Sequence, residues 1–422
     1  MDLYGEFEWR GLVYDATEGV REWLARETVT VYSGFDPTAA SLHVGHLLPA
    51  LALARMQRLG HRPIAVVGGG TGLIGDPSGK SVERSLLSTE QVEANVQGLR
   101  AQLANLLDFS PGPSQARLVN NADWLTTMSA MEFLRDVGKY FSVNAMLARE
   151  SVKRRLASED GISYTEFSYS LLQSYDYLKL FDTYGCMLQI GGSDQWGNIV
   201  SGADLIRRLR GGRAHGLVMP LLTTAAGTKF GKTEGGAVWL DPALTKPYEF
   251  YQFWLNADDR DVTKYLKFFT FFDAARIQEL EAATANAPER RDAQRELARA
   301  VTHLVHGASA VAEAEAASAK LFSGSLASMS VTELLQVFPN VPSSTVPVTP
   351  AGWSVVELLA QTGVASSKSE AARLIKGGGI SVNDRRITDE KERLLPDQAI
   401  EGQLFLIKKG KRDNFLVRLS RG

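Results

Sequence analysis

Two histidines stand three residues apart in the stretch SLHVGHLL, where an apolar run begins. Side chains at this spacing lie on one face of a helix, so His43 and His46 can act together on one chemical group. Gly45, between them, is expected to leave backbone room for a bulky group to come close. Because the whole chain has six histidines, this pair is a candidate site.

A pair of lysines has the same spacing in KFGKT, residues 229–233. A loop with two lysines is most often solvated surface. Close to a histidine pair and a helix N-terminus, however, ammonium and imidazole N–H groups could share the negative charge that develops when an α-phosphate is attacked. Lys229 and Lys232 are therefore candidates for a phosphate-handling site.

Two glycine-rich stretches resemble phosphate loops without fitting them. GTGLIG (70–75) has the spacing of a dinucleotide fingerprint, but Pro77 and Gly79 break the helix that should follow at once. GDPSGKS has one residue too few between its glycines for a Walker A loop. We expect neither site here. Asp76, a carboxylate beside flexible glycines, could instead hold a ligand ammonium group.

The first part of the chain alternates β-rich and helical runs. VTVYSGF (29–35) precedes the helix-like HLLPALALARMQRLG, and RPIAVVGGG (62–70) follows it. ARLVNNADW and CMLQIGGSDQW are two further β-rich runs of this kind later in the chain. This alternation predicts an α/β domain with a parallel sheet covered by helices. Ligands of such sheets bind at the carboxyl ends of the strands, where the polar motif residues fall.

Length and composition limit the class of protein. At 422 residues, two or three domains are expected, and 44% hydrophobic with 22% charged residues suits a globular enzyme. The net charge of −2 requires that any nucleic-acid contact come from local basic patches. The single cysteine, Cys186, excludes an internal disulfide and suits a reducing compartment. We find no signal-peptide pattern and no apolar run near the ~18 residues of a membrane span. We expect a cytoplasmic protein.

Three further segments follow a first domain predicted for residues 1–240. Residues 241–325 are rich in Ala, Glu and Arg at helical spacing and predict an α-helical domain. Residues 326–351 are predicted to be a linker, because PNVPSSTVPVTP holds four of the fifteen prolines. Residues 352–422 hold thirteen Lys and Arg against nine Asp and Glu. This basic module could bind a polyanion, and from charge alone it could equally be a solvated basic face.

Several motifs together resemble one enzyme family. GFDPTAASLHVGH and KFGKT resemble the HIGH and KMSKS signatures of class I aminoacyl-tRNA synthetases. IGGSDQWGN (190–198) and FSYSLLQSYDYL (167–178) resemble stretches of the bacterial-type tyrosyl-tRNA synthetases. SKSEAARLIKGGGISVNDRRI resembles the ribosomal S-four-like RNA-binding domain of such enzymes. The resemblance extends over essentially the whole chain, and it implies a Rossmann-like nucleotide-binding domain, an α-helical domain and a small α+β RNA-binding domain.

The amino-acid pocket is suggested by the residues themselves. YSLLQSYD places Tyr169, Gln173 and Asp176 at positions i, i+4 and i+7, which is one polar stripe of a helix. An amphipathic helix packed on a core would give the same pattern. Asp176 argues against that alternative, because a buried carboxylate needs a partner. A ligand phenol could be that partner.

The resemblance assigns roles in the tyrosine pocket. Tyr32 and Asp176 are implied to bind the substrate hydroxyl. The ammonium group is implied to be held by Asp76, Tyr169 and Gln173. Gln195 is implied to lie close to the reacting carboxylate. A phenylalanine ligand would leave Tyr32 and Asp176 unpaired, at about 1–3 kcal/mol for each buried group.

The resemblance also assigns the adenylate site. The residues implied to bind ATP are Gly34, Asp36, His43, His46, Gly192, Asp194, Lys229 and Lys232. Those implied to stabilise the transferring phosphate are Thr38, His43, His46, Lys229, Lys232 and Thr233. A second basic loop, with Lys80 and Arg84, is implied to reach the pyrophosphate.

The implied activity is that of a tyrosine–tRNA ligase. L-tyrosine is activated with ATP to tyrosyl-adenylate, and the tyrosyl group passes to the 3′ end of tRNA(Tyr). Mg accompanies the pyrophosphate, and no protein-bound metal is expected. The family also implies a homodimer through the region near residues 124–165.

Two positions depart from the family pattern. Ser33 stands where many relatives have Cys, so its role toward the ribose is open. Pro49 lies six residues after His43 and could bend the first helical turns. Two other readings compete: a tryptophanyl-tRNA synthetase, disfavoured by Tyr32 and Asp176, and a non-catalytic RNA-binding relative, disfavoured by the intact HVGH and KFGKT.

Overall fold

The computed structural model describes residues 2–78, 86–159, 161–228, 230–233, 236–322, 329–337, 341–410 and 413–420. Its residues form two compact units. The first comprises Met1–Thr245 and Gln252–Val305, and the second comprises Lys246–Tyr251 and His306–Gly422.

Helices make up most of the first unit and part of the second. The α-helices are α1 (Leu3–Arg10), α2 (Val20–Leu24), α3 (Val44–Arg58), α4 (Thr89–Leu106), α5 (Ala122–Leu125), α6 (Ala130–Glu132), α7 (Val143–Leu147), α8 (Glu150–Leu156), α9 (Tyr164–Tyr184), α10 (Trp196–Arg210), α11 (Pro247–Leu255), α12 (Asp259–Phe269), α13 (Ala274–Asn286), α14 (Asp292–Phe322), α15 (Val331–Val337), α16 (Val355–Gln361) and α17 (Lys368–Lys376). Short 3-10 helices occupy Thr71–Leu73, Gly138–Tyr140, Ser193–Gln195, Pro288–Arg290 and Pro396–Gln398, and Phe133–Val137 forms a π-helical turn. Within the described ranges, no helix has the length and apolar character that crossing a membrane requires.

In the part of the chain that the structure describes, the strands belong to four sheets. They are β1 (Asp15–Ala16), β2 (Thr30–Phe35), β3 (Arg62–Val67), β4 (Arg117–Asn120), β5 (Cys186–Gly192), β6 (His215–Met219), β7 (Lys232–Thr233), β8 (Gly236–Ala237), β9 (Ser343–Pro347), β10 (Trp353–Ser354), β11 (Ile380–Val382), β12 (Arg385–Arg386), β13 (Arg393–Leu394), β14 (Leu404–Lys409) and β15 (Asp413–Ser420).

The main sheet of the first unit has the order β1-β6-β5-β2-β3-β4. All neighbours from β6 to β4 pair in parallel, and β1 runs antiparallel at the edge. The predicted α/β alternation and parallel sheet are therefore confirmed. The chain runs from β2 outward to β3 and β4, whereas β5 and β6 lie on the other side of β2. The boundary between β2 and β5 is thus the switch point, where doubly wound sheets bind ligands.

Two strands in the middle of the main sheet, β2 and β3, are buried on both faces. β2 and β3 read TVYSGF and RPIAVV, and nearly every side chain in them is shielded from solvent. Such apolar, β-branched sequence is typical of parallel strands covered by helices. Helices α3, α9 and α10 pack against the sheet. Cys186, at the start of β5, lies in the resulting core with Tyr32 and Tyr177.

The predicted helical character of residues 241–325 is confirmed, because α11, α12, α13 and α14 lie in this segment. In α14 the regular helix is interrupted at Gly307, whose φ of 85° lies in the left-handed region that favours glycine. The domain boundaries at residues 240, 325 and 351 stay a prediction.

The second unit contains a small α+β fold in its C-terminal part. Its sheet has the order β12-β11-β14-β15-β9, and α16 and α17 contribute to the same hydrophobic core. The fold class predicted for this segment is confirmed. Strand β9 pairs in parallel with β15. The proline-rich segment predicted as a linker is thus extended at Ser343–Pro347, but there it is a strand of the sheet.

Candidate active site

The residues predicted to bind the amino acid begin at the switch point of the main sheet, between β2 and β5. Tyr32 of β2 faces Gln189 of β5 in the strand register. Tyr32 is 1% exposed, and its hydroxyl oxygen has no hydrogen-bond partner among the described residues. The Oε1 atoms of Gln189 and Gln173 are likewise buried without a partner in that part of the chain. Leaving buried polar atoms unpaired costs about 1–3 kcal/mol each, so they are suited to receive a polar ligand.

The Tyr32 hydroxyl lies in the field of a buried carboxylate. Burial, followed by the charge of Asp176, raises the pKa of Tyr32 well above the usual value for tyrosine. The phenol therefore stays neutral and can donate a hydrogen bond at neutral pH.

Asp176 is held on both oxygens. On helix α9 and 4% exposed, it accepts hydrogen bonds from Trp124 Nε1 at 2.7 Å and Asn121 Nδ2 at 2.9 Å. Burial raises the pKa of Asp176 to about 7, although both hydrogen bonds act in the opposite direction. The carboxylate is thus oriented, and it still has lone pairs to accept a proton donor from a ligand.

A hydrogen-bond chain connects Asp176 to the end of β2. Asn121 Nδ2 also donates to Thr71 Oγ1 at 2.9 Å, and Thr71 Oγ1 donates to Asp36 Oδ1 at 2.9 Å. The hydroxyl of Tyr169 donates to the other oxygen of Asp36 at 2.8 Å. The predicted residues Tyr169, Asp36 and Asp176 are thereby brought together. Gln173 lies on the same helix, so the predicted polar stripe of α9 is present.

Asn121, Trp124 and Thr71 were missed in the sequence. The available signal was their position, because each follows a strand of the parallel sheet at its carboxyl end. Asn121 and Trp124 occur in NNADW directly after β4, and Thr71 follows β3.

A second polar cluster lies around Asp76, which is buried. Its Oδ2 accepts from Gln195 Nε2 at 2.7 Å, and its Oδ1 accepts from the Ser78 backbone N–H at 2.8 Å. Asn198 Nδ2 donates to Gln195 Oε1 at 3.2 Å and so orients that amide. Asp76 and Gln195, which were predicted separately for the amino-acid pocket, are in direct contact.

Three carboxylates surround Tyr169. After burial, the neighbouring charges of Asp36, Asp76 and Asp176 raise the pKa of its hydroxyl well above the usual value. A pocket with this much negative charge and a neutral phenol is suited to an ammonium group.

The histidine pair caps the helix that it begins. His43 is the N-cap of α3, and its Nδ1 accepts from the Gly45 N–H at 3.0 Å. His46 Nδ1 accepts from the His43 backbone N–H at 3.2 Å. The two rings are stacked, with centroids 3.9 Å apart. An imidazole that accepts at Nδ1 carries its proton on Nε2 when neutral, so both rings have an Nε2–H donor.

Gly45 also leaves room for a side chain within the histidine pair. A Cβ at this position would come within 2.8 Å of Cε1 in the His43 ring. The glycine therefore leaves space for the ring of His43. The predicted approach of a bulky ligand group to the Gly45 backbone stays a prediction. Helix α3 continues through Pro49 to Arg58. The missing N–H of Pro49 deprives the Gly45 carbonyl of its helical partner without ending the helix.

The KFGKT segment is joined to the start of α3. The Val44 N–H donates to the Val238 carbonyl at 2.9 Å, and the Val238 N–H donates to the Gly231 carbonyl at 3.1 Å. Gly231 has φ 78°, and a Cβ there would meet Val44 Cγ2 at 2.7 Å. The histidine and lysine motifs are thus neighbours, as predicted.

For five of the predicted residues, the structure describes either the backbone alone or nothing. Lys80, Arg84 and Lys229 lie outside the described residues. Lys232 and Thr233 form strand β7, which pairs with β8, and only their backbone is described.

The remaining predicted positions line the carboxyl ends of β2 and β5. Gly34 is exposed near the end of β2, and Thr38 donates its backbone N–H to the Asp36 carbonyl at 2.9 Å. A Cβ on Gly192, the last residue of β5, would meet Asp194 Oδ1 at 2.6 Å, so these two residues are packed tightly. Ser33 is buried within β2.

Comparisons with known proteins identify the family of this chain. A family model described as "tRNA synthetases class I (W and Y)" matches residues 24–323. A second, described as "Tyrosine--tRNA ligase SYY-like C-terminal domain", matches residues 333–417. The parallel sheet, the adjoining motifs and the first match define the class: class I aminoacyl-tRNA synthetases.

The relatives narrow the class. A tyrosine–tRNA ligase of Roseiflexus castenholzii is 58% identical over 420 residues, covering 99% of both chains. One of Geobacillus stearothermophilus is 51% identical over 423 residues, covering 99% of this chain and 100% of that one. Among solved structures, a C-terminally truncated mitochondrial tyrosyl-tRNA synthetase of Aspergillus nidulans has a TM-score of 0.69 at 32% identity, covering 76% of this chain and 94% of that chain. The chain belongs to the bacterial-type tyrosyl-tRNA synthetases, which confirms the resemblance inferred from the motifs.

Proposed function

We propose that this enzyme, a tyrosine–tRNA ligase, activates L-tyrosine with ATP and transfers the tyrosyl group to the 3′ end of tRNA(Tyr). The observation that carries the substrate assignment is the buried Tyr32 hydroxyl, unpaired within the described residues and close to the charge of Asp176. A substrate phenol would satisfy both groups, accepting from Tyr32 and donating to Asp176. Phenylalanine offers no hydroxyl and would leave them unpaired.

The other end of the substrate is assigned to the carboxylate-rich part of the pocket. Asp76, Tyr169 and Gln173 hold the ammonium group, supported by the negative charge around Tyr169 and by the buried, unpaired Gln173 Oε1. Gln195 lies close to the reacting carboxylate, and its hydrogen bond to Asp76 links the two parts of the pocket.

Adenylate formation needs no catalytic base, because the tyrosine carboxylate is already an anion. Its oxygen attacks the α-phosphorus in line, the bond to the pyrophosphate oxygen breaks, and pyrophosphate leaves with the Mg²⁺ that arrives with ATP. The protein contributes positioning and electrostatic stabilisation. In this proposal the Nε2–H groups of His43 and His46 and the ammonium groups of Lys229 and Lys232 meet the developing charge.

The other ATP contacts are assigned around this centre. Thr38 and Thr233 assist at the phosphates, Gly34 and Asp36 line the nucleotide side of β2, and Gly192 and Asp194 meet the ribose. The basic residues Lys80 and Arg84 meet the pyrophosphate.

The second step requires tRNA. Residues 352–422 carry the basic excess, and the family model for the C-terminal domain covers most of them. We assign tRNA binding to this module, the chemistry to residues 1–240 and the anticodon side to the helical residues 241–325. We propose a cytoplasmic location, which is supported by the single cysteine, because this residue is buried and compatible with reducing conditions.

The enzyme is proposed to act as a homodimer through the region near residues 124–165. Large apolar side chains are exposed along this segment: Met131, Leu134, Val143, Leu147, Leu156 and Tyr164. Exposed apolar groups at such density are typical of interfaces. Sedimentation of the full chain should give a dimer, and aspartate at both Leu134 and Val143 should weaken it. A monomeric parent protein would contradict this assignment.

The activity is tested by ATP–pyrophosphate exchange with tyrosine, phenylalanine and tryptophan, followed by charging of tRNA. Exchange should depend on tyrosine, with little stimulation by the other two. Exchange driven best by tryptophan would assign a different substrate, and an absence of exchange together with RNA binding would indicate a relative without catalytic activity.

A further inference from the structure

Helix α12 holds the turn that precedes the KFGKT lysines. The buried carboxylate of Asp261, in the first turn of α12, accepts from the backbone N–H of Ala225 at 2.7 Å. Lys264, one turn later, donates to the carbonyl of Thr223 at 3.1 Å. The two side chains also form an ion pair at 3.2 Å. One helix therefore fixes both a donor and an acceptor of the turn.

The turn is closed by its own hydrogen bonds. The Thr224 N–H donates to the Thr228 carbonyl at 2.9 Å, and the Phe230 N–H donates to the Leu222 carbonyl at 3.2 Å. Because residues 222 and 230 are bonded to each other, the position of Ala225 is transmitted to the residues on either side of Lys229.

An aromatic cluster holds the far end of the same turn. The Phe230 ring is buried, with its centroid 5.0 Å from that of Tyr265 and 5.3 Å from that of Phe269, both on α12. Rings of Phe253 and Trp254 lie at 5.5 and 5.8 Å. Burial and the neighbouring Asp261 carboxylate also raise the pKa of the Tyr265 hydroxyl.

The other end of α12 is fixed to the helix that begins at the histidines. Arg55 of α3 donates to the carbonyls of Phe268 and Thr270, each at 2.7 Å. Arg10 donates to the Lys267 carbonyl at 2.8 Å. Both arginines are buried, and together they satisfy carbonyls that the end of α12 leaves without helical partners. Helix α12 thus contacts both the helix that begins at the histidines and the turn that precedes the KFGKT lysines.

We propose that Asp261 is a positioning residue for adenylate formation, which fixes the turn that precedes the KFGKT lysines through the backbone of Ala225. It touches no substrate and acts through the turn. The proposal rests on the proposed role of Lys229 and Lys232 at the phosphates. A buried, charged acceptor is well suited to this task, because a hydrogen bond to an ionised group is stronger than one between neutral groups.

Hydrogen exchange tests the contact without reference to catalysis. In full-length Asp261→Ala, amide exchange in peptides covering residues 222–228 should accelerate by roughly tenfold, because the Ala225 N–H loses its acceptor. Asp258→Asn is the matched control: it lies at the start of the same helix, and asparagine is also a good N-cap. Unchanged exchange in Asp261→Ala would overturn the proposal even if the lysines are catalytic.

Kinetics tests the consequence. Asp261→Ala and the milder Asp261→Asn should lower the rate of adenylate formation, about tenfold and severalfold respectively, with tyrosine affinity unchanged. Unchanged tyrosine titration also establishes that the variants fold. Asp258→Asn should keep the parent rate.

Double variants separate this proposal from the lysine assignment. With Lys229 and Lys232 both replaced by Ala, the further change Asp261→Ala should lower the rate of adenylate formation by less than about twofold. The reason is that the ammonium groups that the turn positions are then absent. An undiminished effect there would show that Asp261 acts by another route. If the lysine variants themselves retain full activity, the proposed function of the lysines fails, whereas the exchange experiment still reports on the contact.

Discussion

The indole N–H of Trp124 donates to Asp176 over 2.7 Å, from a residue 52 positions earlier in the chain. This bond and that from Asn121 orient the carboxylate without removing the cost of its burial, so that the pKa of Asp176 is raised to about 7. The Asp176 carboxylate, which we propose accepts a hydrogen bond from the substrate phenol, therefore titrates near neutrality.

Tyrosine binding should depend on pH for this reason. Below a pH of about 7, Asp176 is protonated and loses its capacity as a charged acceptor, so the Kd for tyrosine should rise by up to about tenfold per pH unit. Above this pH the Kd should level off. Fluorescence titration of the free enzyme from pH 5.5 to 8 in the absence of ATP measures it. Asp176→Asn should bind tyrosine weakly and without this dependence, and a flat profile for the parent enzyme would contradict the assignment.

Specificity should change in Tyr32→Phe. The substitution removes a hydroxyl that we assign to the substrate phenol and leaves the ring in the core. Tyrosine activation should weaken, and the preference for tyrosine over phenylalanine should fall by about tenfold or more. Competition between the two amino acids in pyrophosphate exchange measures the change.

A matched control stands next to Tyr32. Tyr177 is also buried, its ring contacts that of Tyr32, and its hydroxyl donates to the His215 carbonyl at 2.6 Å. Tyr177→Phe should reduce stability and leave the preference for tyrosine unchanged. Equal preferences in parent and Tyr32→Phe enzymes would place Tyr32 away from the substrate hydroxyl.

Replacement of Lys232 by Ala should slow adenylate formation with little effect on tyrosine affinity. We expect a loss of about 10²-fold, the usual result of removing one group that stabilises transition-state charge. Single-turnover measurements separate this step from binding. Lys246→Ala, which removes an exposed charge just before α11, is the control. Parallel loss of tyrosine binding would place Lys232 in the amino-acid pocket.

The residues that sequence could predict share a local signal. Tyr169, Gln173 and Asp176 follow a helical period, and His43 and His46 stand at a helix start, so short-range geometry alone brings each set together. The parallel sheet could also be predicted, because the alternation of strand-like and helix-like segments is visible along the sequence.

Other parts of the site depend on distant pairing. Asn121 meets Asp176 across 55 residues, and Asp261 meets Ala225 across 36. Both contacts require knowing which strands and helices are neighbours, and Asn and Asp are common in ordinary turns. The space that Gly45 leaves for the His43 ring depends on a rotamer, which spacing does not specify.

The basic C-terminal module should be needed for charging and not for activation. A chain ending at Phe322 keeps every group that we assign to ATP and tyrosine, so pyrophosphate exchange should be nearly unchanged. Charging of tRNA should fall sharply, and the residual RNA affinity should depend less steeply on salt, because fewer counterions are released. The full-length double variant Arg373→Glu and Lys376→Glu, exposed on α17, should weaken RNA binding in the same direction while leaving the fold complete. If both proteins charge tRNA as well as the parent does, this module does not bind the substrate RNA.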